Sequence, residues 1–160
     1  GCRFDLADIF DLAARGRLDT AFLGGVQIDQ TAHLNNSCIG PYAKPKVKLP
    51  GGAGSAVLVP NAHRALVWRT KHDLRTFVEH VDFVTSYGNV DKVFTPLCVF
   101  EKRNGRLALS LLYPGVTYEE VAENTGFPIG NSYQVMEEPT GEELQCLAQI
   151  DPDRVRDSEL

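Results

Sequence analysis

Asp19-Thr20-Ala21-Phe22-Leu23-Gly24-Gly25-Val26-Gln27-Ile28-Asp29 is a short apolar run broken by two adjacent glycines. Apolar character this continuous in so short a segment reads as a buried strand, and the glycines mark its end as a close approach to another backbone or a ligand. Packing of neighbouring segments is the plainer role for Gly24 and Gly25, and contact with a ligand is the other. Residues 30–54 then carry loop signals: Asn35-Asn36-Ser37, Gly40-Pro41, Lys44-Pro45 and Pro50-Gly51-Gly52-Ala53-Gly54. A structureless loop of that length is unusual in a compact domain, so it is either functional or hides short elements. Ser55 to Val59 reads as a short helix ended by Pro60 or Asn61, and Ala65 to Arg69 as the next strand.

The same alternation extends outward. Upstream, Leu6, Ile9, Phe10 and Ala13 have helical spacing, with Gly16 as a stop. Downstream, Phe77 to Thr85 alternates apolar and polar residues and reads as a half-exposed strand, although Leu74, Phe77, Val78 and Val81 also fit a helical stripe. Between Val93 and Pro114 lies a hairpin, with arms Pro96–Glu101 and Leu107–Tyr113 and an Asn104-Gly105 turn. Thr117 and Thr140, each followed by Glu three residues later, are capping boxes that open two helices, the first ending near Gly126. The tail from Asp151 to Leu160 is polar and belongs on the surface. Strands and helices alternating in this way predict an α/β fold, in one domain over residues 1–160.

Composition narrows the classes. The 160 residues are 43% hydrophobic and 23% charged, ordinary for a folded domain, and the net charge is −5. An acidic balance argues against a nucleic-acid groove, and no apolar run approaches the roughly 20 residues of a membrane span. The start, Gly1-Cys2-Arg3-Phe4-Asp5, has neither Met nor a leader pattern and reads as beginning inside something longer. Cys2, Cys38, Cys98 and Cys146 lie far apart without zinc spacing, which fits buried or free thiols in a reducing cytoplasm.

Among chemical candidates, the Pro50–Ser55 cluster leads. Glycines let backbone N–H groups close on an anion or a developing oxyanion, but no Lys-Ser/Thr pair follows as in a phosphate-binding P-loop. A flexible surface turn is the competing reading. Lys71-His72-Asp73 could supply an acid–base group, though a solvated loop is the simpler reading. Arg64, Arg69, Lys71 and Arg75 concentrate positive charge and could face a phosphorylated ligand; on composition alone a solvated face is preferred. His33, His63, His72 and His80 make no pair at metal-ligand spacing on one helix.

The order of segments resembles a known family. Leu23–Asp29, then Leu34-Asn35-Asn36-Ser37-Cys38-Ile39-Gly40, then Lys48-Leu49-Pro50-Gly51-Gly52-Ala53-Gly54 is similar to the β subunit of class I CoA-transferases of the glutaconate type. The run Lys71 to Ser86 resembles the family's His-x-x-Arg-x-Phe-Val-Glu-x-Val-Asp-Phe segment, and Tyr113-Pro114-Gly115-Val116-Thr117 its Pro-Gly-Val-Thr helix start. The resemblance implies an open, mostly parallel sheet flanked by helices, and an active site shared with a homologous α subunit in a heterodimer or α2β2 assembly. It implies ping-pong transfer of CoA between an acyl-CoA and a carboxylate through a glutamyl-CoA intermediate, with no permanently bound cofactor and coenzyme A as substrate. Gly52 would donate its N–H to the oxyanion, with Gly51, Ala53 and Gly54 shaping the loop. Gly24, Gly25 and Gln27 would floor the cleft, and Asn36 and Ser37 would wall it.

Three positions depart from the family pattern. Its catalytic glutamate lies upstream of the first helix seen here, in a Glu-Ser-Gly or Ser-Glu-Asn-Gly context, and the first glutamate of this chain is Glu79. Its Tyr-Gly-Asn turn is replaced by Thr31-Ala32-His33-Leu34-Asn35, and the Asp common after the glycine loop is Ser55. The ending Ile150 to Leu160 also resembles a related branch, ring-opening hydrolases of steroid CoA thioesters, which lacks the transferase glutamate. A ring-opening hydrolase subunit is therefore the second reading, and a non-catalytic CoA-binding scaffold the third.

Overall fold

Apolar residues at helical spacing form α1 (Leu6–Ala14), which passes through Arg15 into Gly16 at φ +65°. There follow β1 (Thr20–Gly24), β2 (Gln27–Ile28), β3 (Leu34–Asn35), β4 (Cys38–Ile39), β5 (Val47–Lys48) and α2 (Ser55–Asn61). The second part of the chain holds β6 (Arg64–Trp68), β7 (Val90–Phe94), β8 (Cys98–Arg103), β9 (Arg106–Leu112), α3 (Tyr118–Glu123), β10 (Gln134–Val135) and α4 (Gly141–Ile150), then a 3₁₀ turn at Val155–Glu159. This computed structural model describes residues 3–159. The expectations placed on Gly1, Cys2 and Leu160 lie outside the described residues.

The central sheet runs β1-β6-β7-β8-β9-β10. β1, β6 and β7 are parallel neighbours, β8 and β9 are antiparallel, and β10 pairs parallel with β9. The sheet is thus mixed and mostly parallel by pairing, as the α/β reading expects. α1 packs on α2, which packs on β1 and β6. β2 pairs with β3 and β4 with β5 in two small antiparallel ladders, the short elements inside the long loop. The core gathers Ile28, Leu34, Val67, Phe77, Val93, Phe100, Leu109 and Val121, with Phe77, Phe100 and Phe127 in mutual ring contact.

The hairpin forms as expected, because Asn104 and Gly105 adopt φ +51° and +80°, the left-handed pair that a two-residue turn requires. Thr117 caps α3 by accepting from the Glu120 N–H, and Thr140 and Glu143 form a reciprocal capping box on α4.

Three expectations need correction. The run from Asp19 to Asp29 is two strands in different sheets, broken at Gly24-Gly25, and β1 is not buried: it pairs only with β6 among the described residues, and Phe22 is 72% exposed. Phe77 to Thr85 is not a strand. Its backbone groups go to scattered partners: Val78 N–H to Ile28 O, Asp82 N–H to the Gln27 side chain, Thr85 N–H to Leu34 O. With β2 and β3 two residues long, no ladder can continue alongside it. Third, β7 is an additional strand ahead of the hairpin, its centre masked by the charged pair Asp91-Lys92.

In the turn Thr31-Ala32-His33, Ala32 sits at φ +64°. Buried Asp29 holds that turn, accepting from Thr31 N–H (2.9 Å), Thr31 Oγ1 (2.7 Å) and His33 N–H (3.1 Å).

Candidate functional site

The glycine loop is anchored at its first glycine. Gly51, at φ +97°, donates its N–H to Asn36 O at 2.7 Å, and Leu49 donates to Ser37 O at 3.0 Å. The next three N–H groups, of Gly52, Ala53 and Gly54, have no hydrogen-bond acceptor among the described residues. Gly52 is pressed against Thr85: a Cβ built on it would lie 2.5 Å from Thr85 Cγ2 and 3.3 Å from Ala56 Cβ. No side chain fits there without displacement, so a backbone N–H is the only donor this position can offer.

Asn36 ties four segments together. Its Oδ1 accepts from Val26 N–H (3.0 Å), its Nδ2 donates to Gly24 O (3.2 Å), its N–H donates to Thr85 Oγ1 (2.9 Å), and its O accepts from Gly51. Ser37 Oγ lies 2.7 Å from the same Thr85 hydroxyl. Gly24, Asn36, Ser37, Gly51 and Gly52 are therefore brought into one cluster, with Ala53 and Gly54 continuing the loop. Gly25 is set apart: its Cβ position is 3.3 Å from both Ile28 Cγ1 and Leu34 Cδ2, the packing role.

Gln27 is buried with its amide engaged. Its Oε1 accepts from Asn35 Nδ2 at 2.7 Å and from Asp82 N–H at 3.1 Å, and its Nε2 donates to Asp82 Oδ2 at 3.3 Å. Asn35, fully buried, also donates to Cys38 O (2.7 Å) and accepts from Ser37 N–H (3.0 Å) and Cys38 N–H (3.3 Å). This satisfied network fixes the turn that carries Asn36 and Ser37. Sequence reasoning assigned no role to Asn35, Asp82 or Thr85. The Asn-x-Ser spacing could have pointed to Asn35, because Asn side chains organise the backbone two residues on. Thr85 meets Asn36 across 49 positions and leaves no local signal.

Beyond Val26 opens a cleft of about 520 Å³. Val26, Ile39, Val47, Leu74 and Val78 give it apolar walls, and Arg69, Lys71 and Arg75 line it with Asp73 and Gln27. Of the four clustered cations, three thus face one cavity. Arg64 is elsewhere, donating to Thr20 Oγ1 at 2.9 Å. Burial pushes the Asp73 carboxyl upward, but hydrogen bonds from Thr76 and Arg75 outweigh it and hold the group below its ordinary value.

His72 is no acid–base group facing solvent. Its ring contacts Phe77 and Phe100, and its two nitrogens lie 2.9 Å from Thr95 Oγ1 and Thr125 Oγ1. Burial lowers its pKa to about 4, against a smaller upward pull from Asp73. Cys98 is buried beside it and its thiol is pushed up to about 12 by desolvation, which makes it an inert core thiol. Among the described residues no group of His, Cys, Asp and Glu could hold a metal ion, and no helix is long and apolar enough to cross a membrane.

Comparison with known proteins identifies the family. Residues 4–124 match the family model described as coenzyme A transferase. The chain is 36% identical to the β subunit of the 3-oxoadipate CoA-transferase of Pseudomonas knackmussii, over 85% of this chain and 60% of that protein. It is 33% identical to the cholesterol ring-cleaving hydrolase IpdB subunit of Rhodococcus jostii, over 95% of this chain and 67% of that one. The crystal structure of the decarboxylase AibA/AibB superposes with a TM-score of 0.88 at 29% identity, covering 99% of this chain and 67% of that one. The chain thus spans about 60% of the length of the 3-oxoadipate transferase polypeptide it matches. With the glycine loop, its Asn36 anchor and the mixed sheet all inside or beside the matched region, the chain belongs to the coenzyme A transferase family.

Proposed function

We propose that this chain is the β-type part of an acyl-CoA:carboxylate CoA-transferase, acting with a homologous α subunit, with its glycine loop stabilising the oxyanion. The observation that carries the reading is the run of acceptor-free N–H groups at Gly52, Ala53 and Gly54, held in place by the Gly51–Asn36 bond in a chain of this family. Preorganised N–H donors aimed at a developing negative charge are the main electrostatic resource of acyl transfer.

The chemistry divides into balanced steps. A glutamate carboxylate, supplied from outside the described residues, attacks the thioester carbonyl, and the electron pair moves to the carbonyl oxygen facing the loop. Collapse expels the CoA thiolate and leaves an acyl-glutamyl anhydride. The thiolate then attacks the glutamyl carbonyl, releasing the acyl group as a carboxylate and leaving a glutamyl-CoA thioester. An acceptor carboxylate reverses the sequence. Each tetrahedral intermediate places its oxyanion at the same donors. Gly52 is the central donor, Gly51, Ala53 and Gly54 shape the loop, and Gly24, Asn36 and Ser37 line the reacting end of the cleft.

The ring-opening hydrolase is the second reading, favoured by the longer alignment with the IpdB subunit. Mixing the assembled protein with acyl-CoA and an acceptor carboxylate separates the two. Acyl exchange with a hydroxylamine-sensitive enzyme adduct supports transfer. Release of free CoA or a ring-opened acid without any acceptor supports hydrolysis. CoA binding with no turnover leaves the scaffold role.

A further inference from the structure

We propose that the cleft beside Val26 is an anion subsite, in which Arg69 and Lys71 hold the anionic end of the acyl-CoA ligand; the identity of the ligand rests on the transferase reading above. The recognised chemistry is an oxyanion, phosphate or carboxylate, on a chain whose carbon skeleton lies along Val26, Ile39, Val47 and Leu74.

Charge pairing within the cleft is unequal. Arg75 has a partner, its guanidinium lying 3.3 Å from the Asp73 carboxylate. Arg69 and Lys71 have no ion pair and no side-chain hydrogen bond among the described residues, and Arg69 Nε is buried without an acceptor. A buried polar atom of a guanidinium left unpaired is costly, so a position that keeps one is built for an acceptor that arrives. In a chain of net charge −5, two unpaired cations on one cavity are not explained by average surface composition.

Position agrees with charge. Gly24 and Trp68 are register partners at the carboxyl ends of parallel β1 and β6, and Arg69 follows directly. Open α/β sheets take ligands outside the carboxyl ends of their strands. Val26 lines the cleft and its N–H is bonded to Asn36, whose carbonyl holds the glycine loop, so the cleft wall is tied to the loop through Asn36. In this proposal a ligand with its thioester at the loop passes Val26 to reach the two cations. Two anions on such a ligand have the required chemistry: the distal carboxylate of a dicarboxylic acyl group, or the phosphates of CoA.

Isothermal titration of the protein in its native assembly tests this with two probes, adenosine 3′,5′-bisphosphate and glutarate, and with butyrate as the single-charge control for glutarate. Binding of the bisphosphate assigns the cleft to the CoA phosphates. Binding of glutarate over butyrate assigns it to an acyl carboxylate. In either case Arg69→Gln with Lys71→Gln should weaken binding about tenfold or more, and added salt should weaken the wild type. Lys71 is exposed, so Lys71→Gln and Lys71→Glu fold normally, and they should weaken binding in that order even if the Arg69 variant is unstable. Failure of the wild type to bind either probe, or equal binding by wild type and the Lys71 variants, overturns the subsite. Acyl exchange that proceeds with unchanged KM in those variants removes the subsite alone. Probe binding that is lost in the variants, in a protein without exchange activity, removes the transferase reading alone.

Discussion

Gly52 and Thr85 meet so closely that the first carbon of any side chain on Gly52 would lie 2.5 Å from the Thr85 methyl. The same threonine, through its hydroxyl, holds Asn36 N–H and Ser37 Oγ. Gly52→Ala must push Thr85 aside and disturb both the loop and its anchor, so turnover should fall by about 10² if the oxyanion role holds. Thr85→Ser removes the methyl and keeps the hydroxyl. The Gly52→Ala/Thr85→Ser double variant should recover most of the loss, a coupling read by steady-state exchange on all four proteins. Unchanged turnover in Gly52→Ala would falsify the oxyanion assignment.

Asn35 offers a stability test independent of activity. Asn35→Ala takes the acceptor from the Ser37 and Cys38 N–H groups and one partner from Gln27, all at a buried position. Unfolding in urea should show a loss of about 3 kcal/mol, the cost of stranding buried polar groups. A loss below about 0.5 kcal/mol, the scatter of surface changes, would mean that the network adds nothing.

His72 makes stability depend on pH in a defined window. The folded chain keeps the ring neutral down to about pH 4, whereas the ordinary value is 6.5. As pH falls through 6.5 the unfolded chain takes up the proton and the folded chain does not, so stability declines from 6.5 to about 4 and this contribution is constant outside that range. Urea midpoints measured across the window should fall with pH in the wild type and fall less in His72→Asn. Parallel slopes in the two proteins would locate the dependence elsewhere.

Gly126 is a position of backbone contact. A Cβ there would lie 2.8 Å from Phe77 O and 3.0 Å from Glu79 N, while its own N–H donates to that Phe77 carbonyl at 2.8 Å. Gly126→Ala should lower stability by about 1–3 kcal/mol, as overpacking does. Thermal melts of the variant should show the drop, and a melting point equal to the wild type would contradict the close approach.

Legibility followed the range of the interactions. The Asn104-Gly105 hairpin and the Thr117 and Thr140 caps are decided by residues a few positions apart, and their signals were sufficient. The alternation of Phe77 to Thr85 was real, yet a strand needs a neighbour of matching length, and β2 and β3 are too short to provide one. At the candidate site, the glycines and Asn36-Ser37 were visible as a local cluster, whereas Thr85 and Asp82 enter only through folding. The basic cluster was visible too. What no sequence pattern could supply was the assignment of partners, in which Asp73 takes Arg75 and Arg69 and Lys71 have none among the described residues.

Asn36 commits its two backbone and two side-chain polar groups to three other stretches of chain, at Gly24–Val26, Gly51 and Thr85. This concentrates evolutionary constraint unevenly. The tip of the β4–β5 hairpin, Pro41 to Lys46, is exposed and can change length or composition without touching any of those bonds. The span from Gly24 to Asn36, and the stretches from Asn36 to Gly40 and from Val47 to Gly52 that flank the hairpin tip, must each keep their length, because one inserted residue there would move an acceptor away from its donor. Relatives that diverge in chemistry on this scaffold are thus expected to vary the hairpin tip and the cleft side chains, and to hold the spacing around Asn36.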